Sequence, residues 1–231
     1  MLLFSLECSA AAASAAIYRD EKLLGEEFLN VPQTHSVTLL PMAKSLLEHT
    51  GISPAQIDYY AVSRGPGSFT GLRIGIAAIK GLAFPDNTPC IGVSTPEAIA
   101  YGLLGFEGTV IPMMDARCGQ VYTALFQGKD GRLTRLSEDE ALPLSELKEK
   151  LKSCTGPLWL CGDGAHLGLA AWGEELPVRI APAHLCCQRA SAVGLAAMQH
   201  LGEAVSPAAL VPCYLRPANA MTLAERQHKA E

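Results

Sequence analysis

Arg64-Gly65-Pro66-Gly67-Ser68-Phe69-Thr70-Gly71-Leu72-Arg73-Ile74-Gly75 links an apolar run that closes at Ser63 to a helical stretch that opens at Leu72. Three glycines and a proline fall within positions 65 to 71, leaving a backbone with little Cβ shielding that phosphate or another polypeptide can approach closely. A Walker A loop would place Lys and then Ser or Thr after its last glycine, but Gly71 is followed by Leu72 and Arg73. A dinucleotide-binding fingerprint would need glycine where Thr70 stands. A nucleophile elbow around Ser68 would need glycine where Pro66 and Thr70 stand. Two readings stay open here: a loop that contacts an anion or a partner, and a strand-to-helix turn that needs glycine for its geometry alone.

Upstream of the loop, Leu2 to Leu6 is a short apolar run. Ala15 to Tyr18, the polar turn Arg19-Asp20-Glu21 and Leu23 to Leu29 read as a hairpin. Apolar residues then recur at helical spacing from Val37 to Thr50, with Gly51 at the position of a C-terminal cap and Pro41 in or just after the first turn. Tyr59 to Ser63 predicts a strand, Leu72 to Phe84 a helix, Cys90 to Val93 a strand and Pro96 to Leu103 a helix. The plan of strand, acid, strand, turn and strand then recurs. Val110 to Met114 ends in Asp115, Val121 to Phe126 reads as one strand, Gly128-Lys129-Asp130-Gly131 as a turn and Leu133 onward as a return strand. Repetition of that plan predicts two related lobes, residues 1–103 and 104–231. Further on come a helix from Leu144 to Lys152, a strand from Leu158 to Cys161 and a helix from Ala190 to Leu201, and the tail from Pro212 is expected to pack briefly and then fray.

With 231 residues, 49% apolar and 18% charged, the composition is that of an ordinary soluble globular protein. A formal charge of −5 argues against unaided binding of tRNA or DNA, which usually calls for a basic face. Glu7 cuts the first apolar run with no Lys or Arg before it, so a secretory signal is a poor reading and a cytoplasmic location is expected. No apolar stretch is long enough to span a bilayer. The 8 cysteines contain no C-x-x-C pair and read as reduced thiols, including the adjacent Cys186 and Cys187. The 6 histidines contain no i, i+3 or i, i+4 pair that a helix could present to one metal, so no metal site is expected.

Glu7 and Asp115, each closing the first strand of its lobe, are candidates for holding a magnesium ion or a phosphate between the lobes. Each could equally accept hydrogen bonds from its own turn. Phosphate-clamping turns want glycine and a hydroxyl just after the acid. Glu7-Cys8-Ser9-Ala10 offers only Ser9, and Asp115-Ala116-Arg117-Cys118-Gly119 offers one late glycine and Arg117. The stretch after the loop carries a different signal. Leu72, Ile76, Ile79 and Ala83 make one apolar stripe and Gly71, Gly75, Ala78 and Leu82 another, leaving Arg73 and Lys80 as its polar residues. One such face can lie on a sheet and the second needs another cover, either a helix of this chain or another protein.

Taken together, the signature from Arg64 to Gly75 is similar to that of the TsaB (YeaZ) family. Matching pieces are His35-Ser36 with Leu39-Leu40-Pro41, Gly92-Val93-Ser94-Thr95, Asp115-Ala116-Arg117 with Val121-Tyr122, Gly162-Asp163-Gly164-Ala165 and Tyr214-Leu215-Arg216. The stretch from Leu133 to Leu158 matches in outline, and the family usually has aspartate where Glu7 stands. The resemblance implies an α/β, actin-like fold of the Hsp70, sugar-kinase and actin class: two related lobes, each a mixed sheet flanked by helices. It implies a non-catalytic subunit of the complex that places threonylcarbamoyl on the anticodon-adjacent adenosine of tRNA. Its expected partners are the catalytic, metal-bearing TsaD and the ATPase TsaE, with tRNA reached only through the complex. No cofactor is expected on the isolated chain, and ATP or ADP would sit only at the complex junction. On this reading Leu40, Ala43, Leu47, Leu72, Gly75, Ile76 and Ile79 face TsaD, or a second copy when the chain is alone. The different alternative is an ATP-dependent enzyme using Glu7, Asp115 and the glycine loop.

Overall fold

A computed structural model describes residues 1–216, so the end of the tail beyond Arg216 lies outside the described residues. The first lobe is built from β1 (Leu2–Glu7), β2 (Ala13–Arg19), β3 (Lys22–Leu29), α1 (His35–Thr50), β4 (Tyr59–Gly65), α2 (Phe69–Ala83), β5 (Cys90–Ser94) and α3 (Thr95–Tyr101). Its sheet has the order β3-β2-β1-β4-β5. The hairpin strands are antiparallel, and β1, β4 and β5 run parallel. Side chains of β1 alternate between two buried faces. Phe4, Leu6 and Cys8 pack with Leu39, Met42 and Leu46 of α1 and Ile76 and Ile79 of α2, while Leu3 packs with Ala98 of α3 and with Ala190 and Val193. The helix of α1 runs through Pro41, whose ring lies on the exposed side, and ends at Gly51 in the left-handed region (φ 65°).

The second lobe consists of β6 (Gly108–Asp115), β7 (Gln120–Thr123), β8 (Phe126–Lys129), β9 (Arg132–Arg135), β10 (Glu140–Pro143), α4 (Leu144–Leu151), β11 (Leu158–Cys161), α5 (Ala165–Trp172) and β12 (Val178–Ile180). Its sheet repeats the first plan, with parallel β6, β11 and β12 and antiparallel partners on the other side of β6. The single strand expected over Val121 to Phe126 is two strands. β6 pairs with β8 through its first half and with β7 through its second, and the break between them is held by Ser137 Oγ and the Leu136 N–H, bonded to the Leu125 N–H and C=O. Strand β10, helix α5 and strand β12 carry no signal in the sequence reading.

After the second lobe the chain returns to the first. Helix α6 (Ala190–Ala197) lies on the first sheet beside α3, where Gly194 gives room to the Tyr18 ring and Ser5 and Ser14 bond the backbone of Ala190. Val205 then pairs with Cys90, and Leu210 enters the α1–α2 core. A cut at residues 103/104 therefore describes the chain only as far as α6, because residues 190–210 pack on the first lobe and the segment after them runs between the lobes to Arg216. The layers run α1 and α2, first sheet, α3 and α6, second sheet, α4 and α5, an actin-like arrangement of two related halves.

Candidate interlobe cleft and docking face

The signature loop lies where the two lobes and the returning chain meet. Its glycines are explained by close packing against backbone. A Cβ on Gly65 (φ 123°) would lie 2.2 Å from the Cys213 carbonyl oxygen, one on Gly67 2.7 Å from that of Ser9, and one on Gly71 2.1 Å from that of Cys8. Hydrogen bonds seal the same contacts. The Ser68 N–H donates to Ser9 O at 2.7 Å, Cys8 Sγ donates to Gly71 O at 3.2 Å, and the Cys213 N–H donates to Arg64 O at 2.7 Å. Pro66 is buried beside them, and Thr70 and Arg64 are exposed. Ser68 caps α2 by accepting from the Gly71 N–H at 3.2 Å. Phe69 carries the Arg73 guanidinium 3.9 Å from its ring centroid and the Tyr214 ring at 5.0 Å.

Glu7 is fully buried rather than presented to the cleft. Its carboxylate accepts from the Ser9 N–H at 2.5 Å and from Ser63 Oγ, binding the β1 turn to β4. Burial pushes its pKa up, opposed by those hydrogen bonds and by His35. A direct metal or phosphate contact through Glu7 is therefore corrected, since both oxygens are engaged inside the first lobe. Ser9 is also buried, and its Oγ has no partner among the described residues. Asp115 does reach the cleft. It accepts from the Arg117 N–H at 2.7 Å and pairs with the Arg117 guanidinium at 3.5 Å.

The cleft between the lobes has a volume of about 460 Å³ and is lined by Ser9, Gly67, Ser68, Asp115, Arg117, Tyr122 and Asp163 among others. Asp163 is held there by the tight Gly162-Asp163-Gly164 turn, since the Gly164 N–H donates to Met113 O at 2.9 Å and Gly162 adopts φ 89°. Burial raises its pKa, Gln188 Nε2 lowers it by donating at 2.8 Å, and the nearby Asp115 charge raises it further. Sequence reasoning singled out Asp115, Arg117 and Ser9 but gave no role to Asp163, Tyr122, Tyr214 or Arg216. Those residues stand inside the pieces that carried the family resemblance, so the signal was present without a chemical reading.

Six of the seven residues expected at the partner surface are buried: Ala43, Leu47, Leu72, Gly75, Ile76 and Ile79. The second apolar face of α2 is covered by the chain itself, with Gly71 and Gly75 packed on Cys8 and with Ala78 and Leu82 joining the α1 core, while the terminal segment holds the polar side of α2 through Lys80 Nζ donating to Ala208 O at 3.1 Å and Arg73 Nε donating to the Tyr214 hydroxyl at 3.1 Å. Leu40 is 51% exposed. It lines, with Pro41, Ala43, Leu47, Ile52 and Leu82, a largely apolar groove of about 980 Å³ between α1 and the end of α2. Val37 on α1 and Phe84 at the cap just after α2 are 65% and 75% exposed.

A family model described as TsaD, tRNA N6-adenosine threonylcarbamoyltransferase, matches residues 29–154. The tRNA threonylcarbamoyladenosine biosynthesis protein TsaB of Bacillus subtilis is 31% identical over 220 residues, covering 95% of this chain and 96% of the relative. The chain belongs to the TsaB family. TsaB of Escherichia coli is 34% identical over 71% of this chain and 72% of its own. YeaZ from Pseudomonas aeruginosa superposes with a TM-score of 0.77 at 27% identity, over 93% of this chain and 99% of that one. A second Pseudomonas aeruginosa structure, described as similar to peptidase YEAZ, gives 0.80 at 28% identity over the same shares. Peptidase chemistry finds no support in the site. Ser68 Oγ is engaged as a helix cap, and no histidine among the described residues bonds it. The family is one of tRNA threonylcarbamoyladenosine biosynthesis, and no helix among the described residues is long and apolar enough to cross a membrane.

Proposed function

We propose that the chain is the non-catalytic docking subunit of the assembly that transfers threonylcarbamoyl to tRNA, and that the α1–α2 groove receives TsaD. The observation that carries this reading is the groove itself. It is a largely apolar opening lined by Leu40, Pro41 and Leu82, with Leu40 51% exposed and with Val37 and Phe84, close in sequence to its lining, exposed as well, and exposed apolar surface of this kind marks interaction sites. The sealed Glu7 turn supports the non-catalytic half, because both oxygens of that acid are engaged inside the first lobe and neither is offered to a metal or phosphate in the cleft. TsaE joins at the same complex, tRNA is held through it, and nucleotide is placed at the complex junction. In the absence of TsaD the same groove pairs two copies of the chain, and the protein works in the cytoplasm.

The test uses the exposed residues, since Gly75 and Ile79 cannot be changed without disturbing the core. Leu40→Glu with Phe84→Asp should abolish co-elution with TsaD while leaving the thermal transition of the chain within about 2 °C. Co-elution that survives both changes overturns the groove as the TsaD contact. The ATPase reading draws on one observation, the facing Asp115 and Asp163, and calorimetry with ATP and magnesium on the isolated chain decides it: tight binding with turnover would displace the docking reading.

A further inference from the structure

A second surface lies on the opposite side of the signature loop from the Gly71–Cys8 contact. Phe69, Tyr122 and Tyr214 line one pocket of about 240 Å³ together with Arg117 and Arg216, and Arg73 stands at its edge over the Phe69 ring. The rings are held by the fold. Phe69 and Tyr214 stack at 5.0 Å with a 32° tilt, and the Arg216 guanidinium lies 6.0 Å from the Tyr122 ring while donating to Ala116 O at 3.0 Å. Three chain segments that are remote in sequence thus bring three aromatic rings and three guanidinium groups to one place. Among the described residues Arg73 and Arg216 have no carboxylate partner, and Arg117 shares Asp115 only at 3.5 Å with its side chain 86% exposed.

A chain with a formal charge of −5 that gathers arginines at this one junction sets up a local field opposite in sign to its average. Resting on the docking-subunit reading above, we infer that this pocket takes a single-stranded nucleotide of the tRNA, its base against the Tyr214 and Tyr122 rings and its phosphates on Arg73, Arg117 and Arg216. Guanidinium groups match phosphate oxygens in paired hydrogen bonds, and aromatic faces accept any base by stacking. An acidic peptide would use the arginines and leave the rings idle. Duplex RNA would not reach them, because its bases are already stacked. Asp163 and Asp115 border the adjoining cleft and confine the phosphates to the arginine side. The acidic surface elsewhere keeps the isolated chain from holding RNA tightly, so the contact matters once a partner supplies the rest of the affinity.

The experiment measures tRNA affinity of the full chain assembled with TsaD, and maps 4-thiouridine crosslinks from tRNA onto both proteins. Arg73→Glu combined with Tyr214→Ala should weaken tRNA binding at least tenfold without releasing TsaD. Arg117→Gln should lower the slope of log affinity against log salt by about 0.7, the loss of one single-strand phosphate contact. Crosslinks on this chain should fall in the peptides holding Phe69 to Arg73, Arg117 to Tyr122 and Tyr214 to Arg216. Unchanged affinity and slope, or crosslinks confined elsewhere, overturn the pocket as an RNA contact. Release of TsaD by the folded double variant also overturns it, by making the patch a protein interface. AMP or ATP competing for the pocket on the free chain as well as tRNA does would assign it to a free nucleotide instead. If wild-type chain and TsaD fail to assemble, the docking reading falls, and crosslinks on the chain alone, taken at low salt and at tRNA concentrations high enough to saturate a weak site, decide the pocket.

Discussion

The turn after β1 and the turn after β6 hold equivalent places in the two lobes and begin alike. In each, an acid at the end of the strand accepts a hydrogen bond from the backbone N–H two residues on, Ser9 for Glu7 and Arg117 for Asp115. Their surroundings then separate them. Glu7 is 0% exposed and also bound to Ser63 of β4, with the signature loop seated on Cys8 and Ser9. Asp115 keeps its side chain 35% exposed and looks across an open cleft to Asp163. One local motif, duplicated, has become a fastening in the first lobe and an available charge in the second. The glycine loop makes the difference, because it covers one turn and leaves the other uncovered.

The strongest way to break that comparison is to put a methyl group on the glycine that packs on the first turn and on the glycine within the second. In Gly71→Ala the new Cβ would stand 2.1 Å from the carbonyl oxygen of Cys8, backbone against backbone with nothing flexible to yield. A loss of about 3 kcal/mol or more in unfolding free energy is expected. Gly119 in the second turn has φ 71° and open space around it. There Gly119→Ala should cost only the left-handed strain, about 1 kcal/mol. Urea denaturation of both variants checks the contrast, and equal losses would erase it.

The next effect is a pH dependence at the first turn. Burial raises the folded-state pKa of Glu7 above its ordinary value of 4.5. Between those two values the folded chain holds a proton that the unfolded chain has released. Stability associated with Glu7 is therefore present at low pH and lost as pH rises through the folded value. Glu7→Gln removes that loss, so the variant should gain on wild type as pH climbs from 4.5, by up to about 1.4 kcal/mol per pH unit within the window. Melting curves of wild type and Glu7→Gln at a series of pH values measure this, and parallel curves would show that the carboxylate is charged and comfortable where it lies.

The lobe plan and most first-lobe elements were legible in the sequence because their signals are local: apolar runs at β1 and β2 with a polar turn after β2, the glycine that caps α1, the glycine-rich link before α2. What escaped was set by long-range packing. The apolar girdle of α2 was readable, but its cover, Cys8 and the core side of α1, is set by tertiary packing, and the partners of its polar residues lie far along the chain, as the 128-residue separation of Lys80 and Ala208 shows. Likewise α6 carries Ala, Val and Gly that would suit either lobe. Only the fit of Gly194 to Tyr18 and the Ser14 bond to Ala190 assign it to the first sheet. At the site, Glu7 and Asp115 were found by their repeated position, whereas burial, which gives them opposite roles, has no local signature.

The smallest effect sharpens the comparison from the second turn. Asp163 is raised first by its burial and then by the Asp115 charge, with Gln188 working the other way. If Asp115 is an available charge rather than a sealed one, neutralising it must be felt across the cleft. Asp115→Asn should lower the Asp163 pKa, read by carbon NMR of the side-chain carboxyl group. Gln188→Ala should raise it, because the amide stabilises the ionised form. Opposite shifts from two neighbours of one carboxylate are hard to produce by a general loosening of the fold, which would move both in the same direction. An Asp163 value indifferent to Asp115 would mean that the second turn is as electrically closed as the first, and that the lobes differ in exposure without differing in chemistry.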